Sequence, residues 1–426
     1  MQPYQSSATD IHHPHADHAT VEHRAKLFAA YLSASELALV RQRMLDHAGD
    51  WQELIEQATR QMRAEAAPHD SAVQDLARRW AALFRASYAG DDAALDGKVR
   101  AAFGREPGLA ANIDGALSLF MQRAVMHLYR PAASLGEAGD DSPKPSARST
   151  ATLRAAHQLL DQPTILNDPL ALTILGPAQE AALRADVERH RNPISNALRA
   201  TMAVRSRLAE DNWRQAQRDG VRQYVILGAG LDTFAYRAGT DADAATPAGD
   251  TRLFEVDLPS TQRWKRACLR TAGIAEPAGL RYVAIDFSEA TLEQGLAAAG
   301  FDAAQPACFS WLGVSMYLTA ADVMRTLHYV AACAPGSSVV FDYLMAPELL
   351  TPIERSGLEM MAAGLAAQGE TLHSHFDPAQ LDEALRRIGM RHIAHFDAPT
   401  LSARYLSGRN DGLRLSGVFR MLRAGA

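Results

Sequence analysis

Two kinds of hydrophobic periodicity divide the chain. From about residue 20 to 130, apolar positions recur every three or four residues. Trp51, Leu54, Ile55, Ala58 and Met62 form one stripe, with Asp50 ahead of it as a cap. Val73, Leu76, Ala77, Trp80, Leu83, Phe84 and Ser87 form a second behind Asp70 and Ser71, and Ile113, Leu117, Phe120, Ala124 and Leu128 a third. Apolar residues at helical spacing behind a polar cap predict helices, and this segment has room for about five. Residues 131–147 are rich in Pro, Gly, Ser and Ala and read as a linker. Ser149 to Asn212 returns to a helical pattern.

The pattern then changes to short apolar runs near 223–228, 252–257, 281–286, 307–312, 337–343, 391–397 and 414–422, mostly with helical stretches between them. That alternation predicts an α/β fold, a Rossmann-like doubly wound sheet with ligands at the carboxyl ends of its strands. The last two runs have little helix between them and predict an antiparallel hairpin at the sheet edge. The expected organisation is a disordered tail over 1–19, an all-helical domain over 20–130, the linker over 131–147 and the α/β domain over 148–426.

The first strand run, Tyr224-Val225-Ile226-Leu227, leads into Gly228-Ala229-Gly230, and a helix can begin near Asp232-Thr233. Glycines at a strand's carboxyl end let the backbone approach a nucleotide-like ligand closely. The second run ends in Glu255-Val256-Asp257, which places an acid where ribose hydroxyls can donate to it. The two features describe a site for an adenosine-containing cofactor. A dinucleotide fingerprint needs a third glycine at position 233, which is Thr, and Asp232 would repel a pyrophosphate. S-adenosylmethionine has no phosphate and is positive at its sulfur and amino group, so it suits this turn better. An NAD-dependent oxidoreductase is the weaker reading, and a nicotinamide titration separates the two.

Bulk composition adds exclusions. A net charge of −6 with scattered basic residues gives no broad attraction to nucleic acid or to an anionic membrane. No apolar run is long enough to span a bilayer, and the polar N-terminus lacks a signal-peptide core. Cys268, Cys308 and Cys333 lack C-x-x-C spacing and read as reduced thiols of a cytoplasmic protein. His12, His13, His15 and His18 read as part of a solvated tail, and no His/Cys/Asp cluster has metal-ligand spacing. No G-x-S-x-G elbow or P-loop is present.

From about Ser149 onward, "DQPTILNDPLA", "MAVRSRLAED", "VILGAGLDTFAYR", "LFEVDLP" and "WLGVSMYL" resemble, in order, the leucine carboxyl methyltransferase family of class I S-adenosylmethionine-dependent enzymes. The resemblance implies that Arg205 holds the donor's carboxylate. It implies that Gly228 and Gly230, followed by Asp232, lie beneath its methionine part. Asp257, with Glu255 beside it, would bind the ribose; Asp286 and Phe287 would flank the adenine; Tyr317 would stand near the reacting methyl. The chain departs from many members at Leu312, where they carry Glu. That departure puts one contact to the donor's amino group in doubt.

The implied reaction is in-line methyl transfer to an oxygen, with a carboxylate of a small molecule or peptide end as the favoured acceptor. A carboxylate needs only orienting donors, for which Tyr317 is one candidate. A hydroxyl acceptor would need a base, and His373 and His375 in "GETLHSHFDP" are the histidines to test. His392 and His395 carry no motif. "DWQELIEQATRQM" and "VQDLARRWAALFRASYAGDD" are similar to the TipAS family, whose small globin-like bundles trap apolar drug-like molecules. The segment has no cysteine, so covalent capture is excluded. This second resemblance points to a bulky apolar acceptor, a secondary metabolite being the expected kind. A rival expectation, kept open by Leu312, is a ligand-sequestering protein on an inactive methyltransferase scaffold.

Overall fold

A computed structural model describes residues 18–109, 113–128, 143–237, 251–285 and 291–426. The chain divides into two compact units, residues 1–130 with 409–412, and residues 131–408 with 413–426.

The described part of the first unit contains six α-helices: α1 (His18–Phe28), α2 (Ala34–Asp46), α3 (Ala48–Arg63), α4 (Ser71–Ser87), α5 (Ala93–Arg105) and α6 (Gly115–Leu128). α1 begins inside the segment expected to be a tail; His12, His13 and His15 lie outside the described residues. α3 starts two residues before Asp50, which sits in its first turn and meets the His47 ring at 3.0 Å instead of capping the helix. Asp70 does stand at the start of α4. The three predicted stripes meet in one apolar cluster, in which Trp51 and Trp80 pack edge to face at 4.9 Å. The Trp51 indole N–H donates to Ser87 Oγ at 2.8 Å, so the polar end of the ring is satisfied as the rest is buried. A second cluster gathers Phe28, Phe84, Tyr88 and Phe103.

The second unit runs α7 (Pro145–Leu160), α8 (Pro177–Ala185), α9 (Pro193–Arg218), β1 (Gln223–Leu227), α10 (Phe234–Arg237), β2 (Arg252–Asp257), α11 (Pro259–Thr271), β3 (Leu280–Ala284), α12 (Leu292–Ala298), β4 (Ala307–Trp311), α13 (Ala320–Ala332), β5 (Ser338–Leu344), α14 (Pro352–Ala366), α15 (Pro378–Arg387), β6 (Ala394–Phe396), α16 (Ala398–Tyr405) and β7 (Phe419–Gly425). α7 opens with Pro at its first position, so residues 145–147 belong to a helix and not to the expected linker. Residues 131–142 lie outside the described residues.

The seven strands form one sheet in the order β3-β2-β1-β4-β5-β7-β6. β1 to β5 are parallel to their neighbours, and β7 runs antiparallel between β5 and β6. The last two strands pair antiparallel at the sheet edge as expected, but not with little helix between them. α16 separates β6 from β7, and β7 starts at Phe419 rather than near 414. The central strands are apolar on both faces because helices cover both. Val225 and Leu227 point into a core shared with Phe309, Leu296 and Leu327, whereas Tyr224 and Ile226 point into one shared with Trp213 and Leu269. On that second face the Trp213 and Tyr224 rings stack at 4.7 Å. Strand order runs outward in opposite directions from β1 and β4. The crevice beyond their carboxyl ends is the switch point where open α/β sheets bind ligands.

Candidate functional site

The turn after β1 needs its glycines for different reasons. Gly228 has φ +64°, and a Cβ there would collide with the Val314 side chain on the turn after β4. Gly230 has φ +50°, and a Cβ on it would stand 3.8 Å from Ala147 at the start of α7. Left-handed backbone is therefore required at both, and at Gly228 the lack of a side chain also lets the β1 and β4 turns meet.

Asp257 closes β2 and reaches across to this turn. Its carboxylate accepts the Gly230 N–H at 2.6 Å and the Leu258 N–H at 2.7 Å. No cation among the described residues pairs with it, and its partial exposure leaves lone pairs for further donors. Glu255, expected beside it as a second ribose acid, is engaged elsewhere. Both Glu255 and Lys265 of α11 are sealed in the core, 2.6 Å apart, and burial pushes the Glu255 carboxyl above its ordinary range. A two-residue step keeps Glu255 on the same face as Asp257 but carries it down beneath α11.

At the end of β4, Arg205 of α9 is buried and its Nη1 donates to Asp342 Oδ2 at 2.9 Å. The other oxygen of Asp342 accepts the Gly313 N–H at 2.6 Å, and its main-chain carbonyl accepts the Ser315 hydroxyl. Gly313 has φ +71°, and a Cβ on it would press within 2.8 Å of the Arg205 guanidinium. Leu312 packs half-buried against an apolar cluster that includes residues of α9, so an aliphatic side chain suits its surroundings. Tyr317 follows two residues after Ser315. Burial, then the nearby Glu370 carboxylate, pushes its hydroxyl up to about 12, with a hydrogen bond to the Ser146 side chain opposing the rise. The phenol is therefore neutral at ordinary pH and able to donate.

A buried charge network lies behind the glycine turn. Arg154 of α7 donates to Asp168 Oδ2 at 2.6 Å and to Asp232 Oδ2 at 3.0 Å. Thr233 Oγ1 donates to Asp168 Oδ1 at 2.7 Å and accepts from Arg154 and Arg237. Arg237 also pairs with Glu210 of α9. Asp232 accepts the Phe234 N–H at 2.6 Å and is held at about 2, burial opposing and Arg154 and Arg237 driving the shift. Asp232 is thus an anchor between the turn and α7. Thr233, standing where a dinucleotide fingerprint has glycine, is wholly buried and the shared partner of Asp168 and two arginines. A second knot fixes the same helices: His157 Nδ1 lies 2.8 Å from Asp161, its Nε2 accepts the Ile165 N–H, and Arg199 grips Asp161 with two donors.

The segment carrying the candidate histidines runs beside Tyr317. The His373 N–H donates to the Met316 carbonyl at 2.8 Å, and Ser374 Oγ donates to the Ser315 carbonyl at 2.9 Å. His373 is exposed, and its backbone is tied to Met316. His375 is half-buried, and burial lowers its pKa below the ordinary histidine value. The structure therefore gathers Arg205, Gly228, Gly230, Asp257 and Tyr317 at the switch point. Asp286 and Phe287 lie outside the described residues. Sequence reasoning gave no role to Arg154, Asp168, Glu210, Arg237, Asp342 or Glu370. A lone acid inside the apolar run Ser338–Leu344 was the available signal for Asp342. No three-residue His/Cys/Asp/Glu group that could hold a metal occurs among the described residues, and no described helix is long and apolar enough to cross a membrane.

The sequence profile described as leucine carboxyl methyltransferase matches residues 147–331. A Bacillus subtilis protein is 32% identical over 195 residues, 46% of this chain and 62% of the relative, so the chain spans less than two thirds of it. Relatives from Mycobacterium marinum (30% identical over 277 residues, 63% of this chain and 74% of the relative) and Mycobacterium avium (32% over 250 residues, 54% and 78%) are matched over more of their length. All three bear provisional names as S-adenosyl-L-methionine-dependent methyltransferases. Among solved structures, a DUF574 family protein from Streptomyces avermitilis aligns at a TM-score of 0.40 and 16% identity, over 67% of this chain and 98% of that one.

Proposed function

The chain belongs to the leucine carboxyl methyltransferase family, and from that premise we propose that it transfers a methyl group from S-adenosylmethionine to an oxygen of a small-molecule acceptor, a carboxylate being favoured. The observation that carries the donor reading is the pairing of the Gly230 turn with Asp257 at the switch point. A pyrophosphate would need free amides at a helix N-terminus. Here α10 has only four residues, and the Phe234 amide is already held by the Asp232 carboxylate. The residues present thus fit a phosphate-free, cationic nucleoside and not a dinucleotide.

When bound, the donor supplies an electrophilic methyl carbon on a sulfonium. In this reading Asp257 accepts the ribose hydroxyls, with its carboxylate pre-aimed by two amides. Gly228 and Gly230 leave room for the methionine part, and Arg205 offers the donors not used by Asp342 to the amino-acid carboxylate. Tyr317, kept protonated, orients the acceptor oxygen in line with the methyl carbon. An ionised carboxylate needs no base. A hydroxyl acceptor is the second reading, favoured by His375: a half-buried imidazole with a lowered pKa is neutral near pH 7 and can take a proton.

Leu349 and Ile353, 52% and 46% exposed, stand on the segment following the carboxyl end of β5. Exposed apolar side chains there support an apolar acceptor. The test is calorimetric titration with S-adenosylmethionine, repeated with Asp257→Ala, followed by an acceptor screen with labelled methyl. Binding lost in the variant, with label released as methanol by mild alkali, supports ester formation. Alkali-stable label would move the reading to hydroxyl acceptors. Wild-type protein that fails to bind the donor would end the reading.

A further inference from the structure

Glu370 is more than nine-tenths buried, and no arginine, lysine or histidine among the described residues pairs with it. Its Oε1 accepts the Ser146 N–H at 2.9 Å, at the second position of α7. The next residue, Ala147, is the one that faces Gly230. Ser146 and Glu370 both lie near enough to the Tyr317 hydroxyl to influence its ionisation, and the backbone and side-chain bonds of His373 and Ser374 pin the Glu370 segment along Ser315 and Met316. The carboxylate is thus fixed between the start of α7, Tyr317 and the glycine turn.

One amide and a helix N-terminus favour an anion there, but they do not neutralise it. The second oxygen of the carboxylate is left for a cationic partner. Arg205, the arginine assigned to the donor's carboxylate, is balanced by Asp342. With Tyr317 neutral, Glu370 adds a negative charge, without an ion-pair partner among the described residues, to that of Asp257, which two amides hold at the ribose position. S-adenosylmethionine has a sulfonium, an ammonium and one carboxylate, for a net single positive charge, whereas its thioether product has none. The positive charge that Glu370 lacks as a partner is one that the donor brings and the product has lost.

We propose that Glu370 recognises the positive charge of the methyl donor and makes the pocket prefer it to the neutral thioether product. This inference rests on the donor reading above and assigns a specificity role to a residue outside the glycine turn and the ribose acid. A purely structural alternative is that Glu370 only caps α7. Glu370→Gln separates the two, because the amide oxygen can still accept the Ser146 N–H while the charge is gone.

The experiment is calorimetry of wild type and Glu370→Gln with S-adenosylmethionine and with S-adenosylhomocysteine, alongside thermal denaturation. The expected result is a donor affinity reduced roughly tenfold or more in the variant, with product affinity nearly unchanged, as for a charge pair formed away from bulk water. Equal loss for both ligands, or a lower Tm with the donor-to-product ratio intact, would overturn the proposal and leave a helix cap. A readout independent of the variant's folding is wild-type binding of sinefungin, in which a protonated amine replaces the sulfonium. It should bind more tightly than S-adenosylhomocysteine, and equal affinity would overturn the proposal. Wild-type protein that binds none of the three ligands removes the donor reading itself and this inference with it. Binding by wild type without charge preference removes only this inference.

Discussion

Arg205 and Asp342 form a buried ion pair at 2.9 Å between α9 and β5, and the same carboxylate holds the Gly313 amide at 2.6 Å. The turn after β4 is therefore set by a charge from a neighbouring strand. Asp342→Asn keeps an acceptor for Gly313 but strands the Arg205 guanidinium. Removing one partner of a buried pair costs about 3–5 kcal/mol. Urea denaturation should show a loss near that size, together with weaker donor binding, and an unchanged midpoint would refute the pairing.

Gly228 and Val314 share one space. Gly228→Ala would put a methyl into the Val314 side chain on a backbone of φ +64°. The expected outcome is at least about tenfold weaker donor binding, with a stability cost of roughly 1–3 kcal/mol. Gly228→Ala combined with Val314→Ala should recover part of the steric loss but not the backbone strain. A double-mutant cycle with no coupling would contradict the contact.

Thr233→Gly would restore the third glycine of a dinucleotide fingerprint. Here it would strip Asp168 of a hydroxyl donor and Arg154 and Arg237 of an acceptor. Leaving buried polar groups short of a partner costs about 1–3 kcal/mol. The variant should lose stability by that amount and still give no NADH fluorescence response. A gain of NADH binding would overturn the account of this turn.

Asp232 sets an acid limit. Its folded-state pKa of about 2 lies below the unfolded value of 3.8, so its contribution is complete above pH 4 and disappears as pH falls toward 2. A shift of that size corresponds to roughly 2 kcal/mol. Stability measured between pH 5 and 2 should fall less steeply for Asp232→Asn than for wild type. Parallel curves would show that Asp232 titrates alike in the folded and unfolded chain.

Ile353→Asp and Leu349→Asp place charge on the exposed segment beyond β5. If that segment meets an apolar acceptor, KM for such an acceptor should rise about tenfold, while donor affinity and Tm stay close to wild type, as expected for exposed positions. An unaffected KM would move the acceptor elsewhere.

What could be read from the chain was what is local. Tyr224 to Leu227 with Gly228 and Gly230 shows its strand and turn directly, because both depend on residues adjacent in sequence. Asp257 was legible for the same reason, as the acid that ends its strand. Glu255 was placed beside it because strand alternation tells which face a residue shares, not what lies opposite. The opposite residue, Lys265, arrives on the next helix and takes the carboxylate. Arg154, Asp168, Glu210 and Arg237 were out of reach because they meet only once α7, α9 and the turn are packed. Asp342 and Glu370 are further cases: their partners, Arg205 and Ser146, lie 137 and 224 residues away. His373 was legible as a histidine in this loop, but the backbone bond that ties it to Met316 was not.

The order of strands has a consequence for synthesis. β6 leaves the ribosome before β7, yet β7 lies between β6 and β5 in the sheet. Until β7 emerges, β6 has no neighbour and β5 presents an open edge from Ser338 to Leu344, in which six of seven residues end up buried. Such an edge is a template for pairing with another chain. The nascent protein therefore passes through a stage in which the β5 edge is complete and uncovered.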